Sequence, residues 1–237
     1  MTSISVKSFI RDPRFQVTAT WIWNLVGVFL VVAIAALIMQ GNPSIDQQAL
    51  LERPALALIP ILSEIVLVGL LPILFSILNK DRPADLGITG KNLAQSLVLA
   101  AVVVLVYFTY QSLLVNQPTT GIQWPGLHQV KPGNACLALA ALLAYGPLEV
   151  FFVVWLIHKT DRIFHSETRI WSWGLLITIG IYLLLHTFSQ GLYALVIASE
   201  MLVLGLIFKR TRNAIGPMLA FLFVNGYAWF LAGALLQ

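Results

Sequence analysis

Long apolar runs separated by short polar segments dominate this sequence. About 20 consecutive apolar residues cross the hydrocarbon core of a bilayer as a helix. Seven segments meet that measure and predict transmembrane helices: 19–39, 54–78, 93–115, 134–158, 171–188, 189–208 and 214–236. Only Thr187-Phe188-Ser189-Gln190 separates the fifth segment from the sixth, so these two form either a tight hairpin or one re-entrant unit. The pattern predicts an all-α fold, a polytopic membrane helical bundle that forms one domain over residues 1–237.

Basic residues mark alternate connecting segments of this predicted bundle. The N-terminal tail and the segments 79–92, 159–170 and 209–213 together hold twelve of the 14 lysines and arginines. The segments on the opposite side hold only Arg53 and Lys131. Because lysine and arginine accumulate in cytoplasmic loops, this distribution predicts seven spans with the N-terminus inside and the C-terminus outside.

The composition excludes an ordinary soluble protein. Hydrophobic residues make up 59% of the chain and charged residues only 10%, whereas soluble domains carry about 25% charged residues. The formal net charge is +4, but the basic residues lie at predicted helix ends and not along one stripe. Topology therefore explains them, and no nucleic-acid partner is expected. The predicted localisation is a membrane, as a multi-pass integral protein surrounded by lipid and in contact with other membrane proteins.

Neither processing nor a metal site is indicated. Residues 1–18 are too charged for a cleavable signal peptide, and we expect them to remain as a short tail on the membrane surface. The single cysteine, Cys136, cannot form an internal disulfide, and no spacing of cysteine and histidine is typical of a metal site. No cofactor is expected.

Prolines and glycines recur inside the predicted spans, at Pro60, Pro72, Gly146-Pro147 and Gly216-Pro217. Membrane helices tolerate such residues where neighbouring groups satisfy the freed backbone. Alternatively, Gly146-Pro147 breaks the fourth span and starts a new helical segment just before Glu149, because proline suits the first turn of a helix.

Five polar side chains lie deep inside the predicted spans, on five different segments: Glu64, Glu149, His186, Glu200 and Asn225. A charge at the bilayer centre costs ~2.5–3.5 kcal/mol, so such residues usually face the bundle interior and mark a site. At about 1.5 Å of rise per residue, all five reach comparable depths from the inner helix ends. The sequence therefore allows one polar layer near mid-membrane.

Each of these residues also has a purely structural interpretation. Asn225 can form a hydrogen bond across a helix contact, and Glu64 and Glu200 can be protonated and bonded to a carbonyl or to the serine that precedes each. His186 can be structural, or it can ligate a haem or a chlorophyll. Glu149 meets no opposing charge in the nine residues that follow it, so a neutral carboxyl and a general base both stay open.

Several segments resemble, in order and spacing, the motifs of one membrane-protein family. Residues 82–88 resemble a "DLG" segment that precedes the family's core, and residues 148–153 resemble its first motif, EExxFR. Residues 182–186 resemble the second motif, FxxxH, with tyrosine in place of phenylalanine. Residues 205–211 resemble a helix end of the form "GxxYxRTG", and residues 217–225 resemble the third motif. In that third motif a histidine and an asparagine follow a proline. The family is that of the CAAX-processing and bacteriocin-processing (CPBP, or Abi) intramembrane endopeptidases, which residues 82–230 resemble.

The resemblance implies a fold and a set of site residues. In the family, the first glutamate and the second-motif histidine activate a water, while the third-motif histidine and asparagine hold the oxyanion. Amide hydrolysis needs such a base and such donors. The residues of this chain that take family positions are Glu149, His186 and Asn225.

The match to the family is incomplete. In the better alignment with the motif EExxFR, Glu149 occupies the position of the second glutamate. Leu148 then stands at the position of the first glutamate and Val153 at that of the arginine. In the other register Glu149 takes the first position, and valines replace the second glutamate, the phenylalanine and the arginine. Phe221 stands where the third-motif histidine is expected, and Arg212 where the last glycine of the helix end is expected. A phenyl ring cannot donate to an oxyanion, and losing one such donor costs roughly 10²–10³ in rate.

Three functions follow from these observations. The first is a non-catalytic member of the fold that serves as a membrane subunit, an assembly factor or a binding partner of another membrane protein. The second is an active intramembrane endopeptidase in which Glu149 is the base, His186 its partner and Asn225 the oxyanion donor. The third is a transporter or pigment-binding subunit, with glutamates along a pathway or His186 on a macrocycle. The two missing side chains favour the first.

Overall fold

The computed structural model describes residues 6–41, 54–114 and 135–225, and within these ranges the chain forms helices and turns with no strand. The all-α prediction is therefore confirmed for this part. In chain order, the α-helices are α1 (Val6–Ile10), α2 (Pro13–Gly41), α3 (Pro54–Glu64), α4 (Leu70–Asn79), α5 (Leu93–Leu114), α6 (Ala135–Leu143), α7 (Glu149–Phe164), α8 (Trp173–Gln190), α9 (Ala194–Thr211) and α10 (Ile215–Val224).

Five described helical segments are long and apolar enough to cross a membrane: Pro13–Ile34, Ile61–Asn79, Leu93–Tyr110, Leu139–Phe164 and Gly191–Thr211. They match the first four predicted spans and the sixth, and they are compatible with a multi-pass membrane protein. The helices at the fifth and seventh predicted spans are apolar but shorter. Residues 226–236, Arg53 and Lys131 lie outside the described residues, and the count of seven and the orientation stay predictions.

Helix α7 is the centre of the bundle. Trp155, Leu156 and Ile157 are fully buried, and α7 packs against α2, α8, α9 and α10. The peripheral helices α2 and α5 instead expose large apolar side chains, such as Phe29 at 62% and Leu105 at 67%. A soluble monomer rarely exposes continuous apolar faces of this kind, whereas lipid would cover them without cost.

Two π-helical turns interrupt the long helices. The first, Ile65–Gly69, joins α3 to α4, and the second, Ala144–Leu148, joins α6 to α7. The second contains Gly146-Pro147, so the helix widens at this pair and continues; it neither breaks nor runs through as an ordinary α-helix. Each turn contributes a carbonyl to another helix: Trp23 Nε1 donates to Val66 O at 3.1 Å, and Asn225 Nδ2 donates to Tyr145 O at 2.9 Å.

The two π-turns pack against each other, and each adjoins a glutamate. A Cβ added to Gly69 would lie 3.0 Å from Leu148 Cδ2, so the first turn leaves just enough room for the second. Glu64 precedes the first turn and Glu149 follows the second. Because π-turns inside α-helices frequently occur at functional sites, this pairing directs attention to the space between the two glutamates.

Helices α8 and α9 form a tight hairpin. They pack against each other and are joined by a single 3₁₀ turn, Gly191–Tyr193, in which Gly191 has a φ of +58°. This connection is one of the two arrangements that the short separator between the fifth and sixth predicted spans allowed. The helix boundary lies at Gln190, two residues later than the predicted end of the fifth span.

A cluster of charged and polar side chains with little exposure lies at the ends of α4, α7 and α9; we call it the basal network, and it consists of Asp81, Lys159, Asp161, Ser166 and Lys209. Lys159 Nζ lies 2.6 Å from Asp81 Oδ2, and Lys209 forms an ion pair with Asp161. Asp161 Oδ1 also accepts from Ser166 Oγ at 2.7 Å and from the Gly174 backbone at 2.8 Å. The predicted loops 159–170 and 209–213 thus begin inside helices, and two of their lysines are buried.

The segment that resembles the "DLG" lead-in packs on the end of α9. Gly87 adopts the left-handed region with a φ of 77°, and its carbonyl accepts from Ala214 N at 2.8 Å. A Cβ at this position would lie 2.7 Å from Ala214 N. Arg212 also has a positive φ, 55°. It stands at the position of the last glycine in the motif "GxxYxRTG". Only glycine adopts this region without steric cost.

Candidate binding chamber

A cavity of about 360 Å³ lies among α2, the end of α3, the two π-turns and α7 to α10; we call it the chamber. Its size falls within the range of small-molecule sites, roughly 300–1,000 Å³. Its polar lining consists of Asn24, Glu64, Glu149, Tyr182, His186 and Asn225, and its aromatic lining adds Trp21, Tyr145, Phe152 and Phe221.

The structure brings Glu149, His186 and Asn225 together in this chamber. They come from three separate helices and are brought together by tertiary packing. Their convergence is what the resemblance led us to expect of a site. Their catalytic roles stay a prediction.

Glu149 is the first residue of α7 and is buried, at 8% exposure. Tyr182 Oη donates a hydrogen bond to its Oε1 at 2.5 Å. The neighbouring Leu148 lies instead against Gly69 of the first π-turn and does not line the chamber. Glu149 is therefore the carboxyl that this helix start presents to the chamber, held by a hydroxyl that a phenylalanine at 182 would lack.

His186 lies one turn after Tyr182 on α8. Its Nδ1 is 2.9 Å from the Tyr182 carbonyl oxygen, and the two rings stack with centroids 4.0 Å apart. These contacts fix the imidazole at the chamber wall. Among the described residues, no group of three or more His, Cys, Asp or Glu side chains could hold a metal ion.

Asn225 ends α10 and bonds across a helix contact, as its structural interpretation predicted. Its amide nitrogen donates to the Tyr145 carbonyl in the second π-turn. The side chain thus satisfies a backbone group that the widened turn leaves available, while it also lines the chamber.

The two remaining predicted glutamates differ from each other. Glu64 lines the chamber, whereas Glu200 does not. Of the two partners expected for these carboxyls, a carbonyl or the preceding serine, the described residues show no hydrogen bond from either carboxyl to its serine. Ser63 Oγ donates to Ile59 O at 2.7 Å and Ser199 Oγ donates to Val196 O at 2.6 Å, because both hydroxyls bond back to their own helix.

Two chamber residues on α2 were missed by the sequence analysis. Asn24 is 8% exposed and forms no hydrogen bond with any described residue. The buried Trp21 Nε1 also has no hydrogen-bond partner there, while its ring meets Phe152 edge-on with centroids 5.8 Å apart. Asn24 lies only about 7.5 Å from the inner end of the predicted span 19–39, shallower than the five selected residues, so the depth criterion passed over it.

The chamber has an acidic character. Glu64 and Glu149 line it, and none of its described lining residues is a lysine or arginine. Lys159 of α7 and Lys209 of α9 instead form ion pairs with Asp81 and Asp161 in the basal network.

No protein-family model, curated protein or solved structure matches this chain. The CPBP resemblance accordingly rests on the sequence motifs quoted above and stays a prediction.

Proposed function

We propose that this chain is a multi-pass membrane protein with a CPBP-like fold whose chamber binds without cleaving, so that it acts as a non-catalytic subunit or binding factor for another membrane protein. The single observation that carries this proposal is Phe221. Its ring is 2% exposed and lines the chamber at the position of the third-motif histidine. One donor for an oxyanion is thereby replaced by hydrocarbon, which costs roughly 10²–10³ in rate.

The state of Asn225 supports the same proposal. Catalysis needs donors aimed at the position where negative charge develops. The Asn225 amide nitrogen already donates to Tyr145 O at 2.9 Å. This bond stabilises the second π-turn and so gives Asn225 a structural task.

The register of the first motif supports it further. Glu149 lines the chamber and Leu148 does not, which favours the alignment in which Glu149 takes the first glutamate. In that alignment Val150, Val153 and Val154 replace the other motif residues, and all three are at most 2% exposed within the core cluster. Apolar core residues have thus replaced the second glutamate and the arginine of the motif.

An active endopeptidase is the second candidate, favoured by one observation. Glu149 and His186 line the same chamber, with Tyr182 bonded to the carboxylate and stacked on the imidazole. A base and its partner at one cavity are the minimum that water activation requires.

Mass spectrometry of protein N-termini separates the two candidates without a known substrate. Membranes from cells that express the wild type, Glu149→Gln or His186→Ala at equal levels are compared. We expect the same set of termini in all three, because the chamber binds only. Termini that are present with the wild type and absent with both variants would establish the endopeptidase and overturn the proposal.

A further inference from the structure

We propose that the chamber binds an organic ammonium ion that also carries an oxygen acceptor, the chemistry of an amino alcohol or of its N-methylated form. The inference rests on the proposed function, in which the chamber is a binding site, and it names the class of ligand. The charge, the wall and the unpartnered groups of the chamber each contribute to it.

The charge of the lining selects a cation. Glu64 precedes the first π-turn and Glu149 follows the second, so the packed turns place two carboxyl groups on one cavity. No described lysine or arginine lines it. Buried charges are normally paired, and a bound cation would supply the positive charge that no described lysine or arginine of the lining supplies.

The aromatic lining selects an organic cation over a metal ion. Five aromatic side chains line the chamber: Trp21, Tyr145, Phe152, Tyr182 and Phe221. Aromatic rings attract ammonium groups through their quadrupole, and aromatic cages recognise quaternary ammonium ligands. A metal ion would need more ligands than these walls offer, since no described group of three metal-ligating side chains exists.

The unpartnered groups define the rest of the ligand. Asn24 is buried at 8% exposure and lines the chamber without a hydrogen bond to a described residue. The Trp21 indole N–H is buried and also lacks an acceptor. Buried polar groups are nearly always satisfied. An ammonium ion that bears a hydroxyl or ester oxygen places a polar atom within reach of the Asn24 amide.

The cavity volume sets an upper limit on the size of the ligand. About 360 Å³ is at the lower end of the range of small-molecule sites. A head group of the choline or ethanolamine type is smaller than this cavity and enters it without filling it. Such a group can come from a free amine or from a phospholipid, and the two sources share the chemistry that the chamber recognises.

Binding of choline and ethanolamine to the purified full-length chain tests the proposal. Calorimetry in detergent gives the dissociation constant, and 3,3-dimethylbutan-1-ol, which has the shape of choline without the charge, is the matched ligand control. We expect saturable binding of at least one amine and none of the neutral alcohol. Equal binding of the alcohol, or displacement of the amine by sodium at equal concentration, would overturn the proposal.

Two matched variants assign the binding to the chamber. Glu64→Gln removes one chamber carboxyl that has no hydrogen bond to a described residue, and we expect it to weaken amine binding at least about tenfold, the size of one charge-assisted hydrogen bond. Glu167→Gln makes the same change beyond the end of α7, outside the chamber lining, and should leave the affinity unchanged. Equal affinities for both variants, with unchanged gel-filtration profiles, contradict the proposal.

Nanodiscs distinguish the two sources of the amine. If the head group of a phospholipid is the ligand, free choline binds more weakly in phosphatidylcholine nanodiscs than in phosphatidylglycerol nanodiscs. If a free amine is the ligand, the two affinities agree. Either result supports the ammonium class. A chain that binds no amine in any of these media, yet yields no Glu149-dependent termini, refutes this inference and leaves the proposed function standing.

Discussion

The basal network and the chamber both bury polar side chains, but they treat them in opposite ways. In the basal network, Asp161 accepts from Ser166, from the Gly174 backbone and from Lys209, and Lys159 pairs with Asp81. In the chamber, the Trp21 indole N–H has no acceptor and Asn24 forms no hydrogen bond among the described residues, and two carboxyl groups share the lining without a described lysine or arginine.

This difference separates two uses of buried polarity. A fully satisfied network rigidifies the fold, and the basal network joins the ends of α4, α7 and α9 in this way. A buried network with unsatisfied polar groups lowers the stability of the fold. Such a network is retained in evolution only where function requires it. We therefore expect substitutions in the basal network to act on stability and substitutions in the chamber to act on binding.

The largest effect is expected from Asp161→Asn, which tests the structural half of the comparison. The change keeps the shape of the side chain but leaves the buried Lys209 ammonium without its counter-charge, and breaking a buried pair typically costs about 3–5 kcal/mol. Thermal unfolding of the purified chain in detergent measures it. Arg162→Ala, the exposed neighbour, is the control and should stay close to the wild type.

A small change for Asp161→Asn, comparable to that of the control, would mean that Lys209 escapes to solvent. The two regions would then not differ in the way described.

Gly174→Ala is expected to have the next largest effect. A Cβ at this position would overlap Ile157 O and the Asp161 carboxylate, so α8 would have to move away from the basal network. Overpacking of this kind costs about 1–3 kcal/mol. Gly180→Ala on the same helix meets nothing within 4 Å and should be neutral or slightly stabilising, because alanine is the better helix former. Equal melting temperatures for the two variants would contradict the close packing at this end.

Tyr182→Phe is expected to have a smaller effect and tests the satisfied part of the chamber. It removes the donor to Glu149 Oε1 but keeps the aromatic ring and its contact with His186. The loss of one hydrogen bond costs about 1 kcal/mol. The same unfolding assay measures it, and Tyr110→Phe, at an exposed position of α5, serves as a control outside the chamber. A variant as stable as the wild type would indicate that the carboxyl does not depend on this hydroxyl.

Much of the fold could be predicted because bilayer thickness fixes the length of an apolar helix. Five of the seven predicted spans correspond to described helices of sufficient length. The π-turns could not be predicted, because the same run of apolar residues is compatible with an α-helix and with a π-helical turn. Pro147 gave the one local signal, and it admitted two interpretations.

The site was predictable in part for a similar reason. Depth along a helix selected Glu149, His186 and Asn225, which do meet in the chamber. Depth alone could not separate Glu64 from Glu200, because only the direction in which each helix faces decides which one lines the cavity. The lysines of the basal network were interpreted as topology signals, and their ion pairs with Asp81 and Asp161 depend on tertiary contacts that no sequence spacing reveals.

The smallest effect on stability is expected from Asn24→Leu, and it carries the most information about the chamber. Asn24 has no hydrogen-bond partner among the described residues, so its loss removes no bond to that part of the chain, and leucine lowers the cost of burying a polar group. We expect the melting temperature to stay within the range of the control variants or to rise, while amine affinity falls. A substitution that costs binding but not stability is the sign of a residue kept for its ligand. A marked loss of stability would instead mean that Asn24 supports the fold, and the chamber would then resemble the basal network.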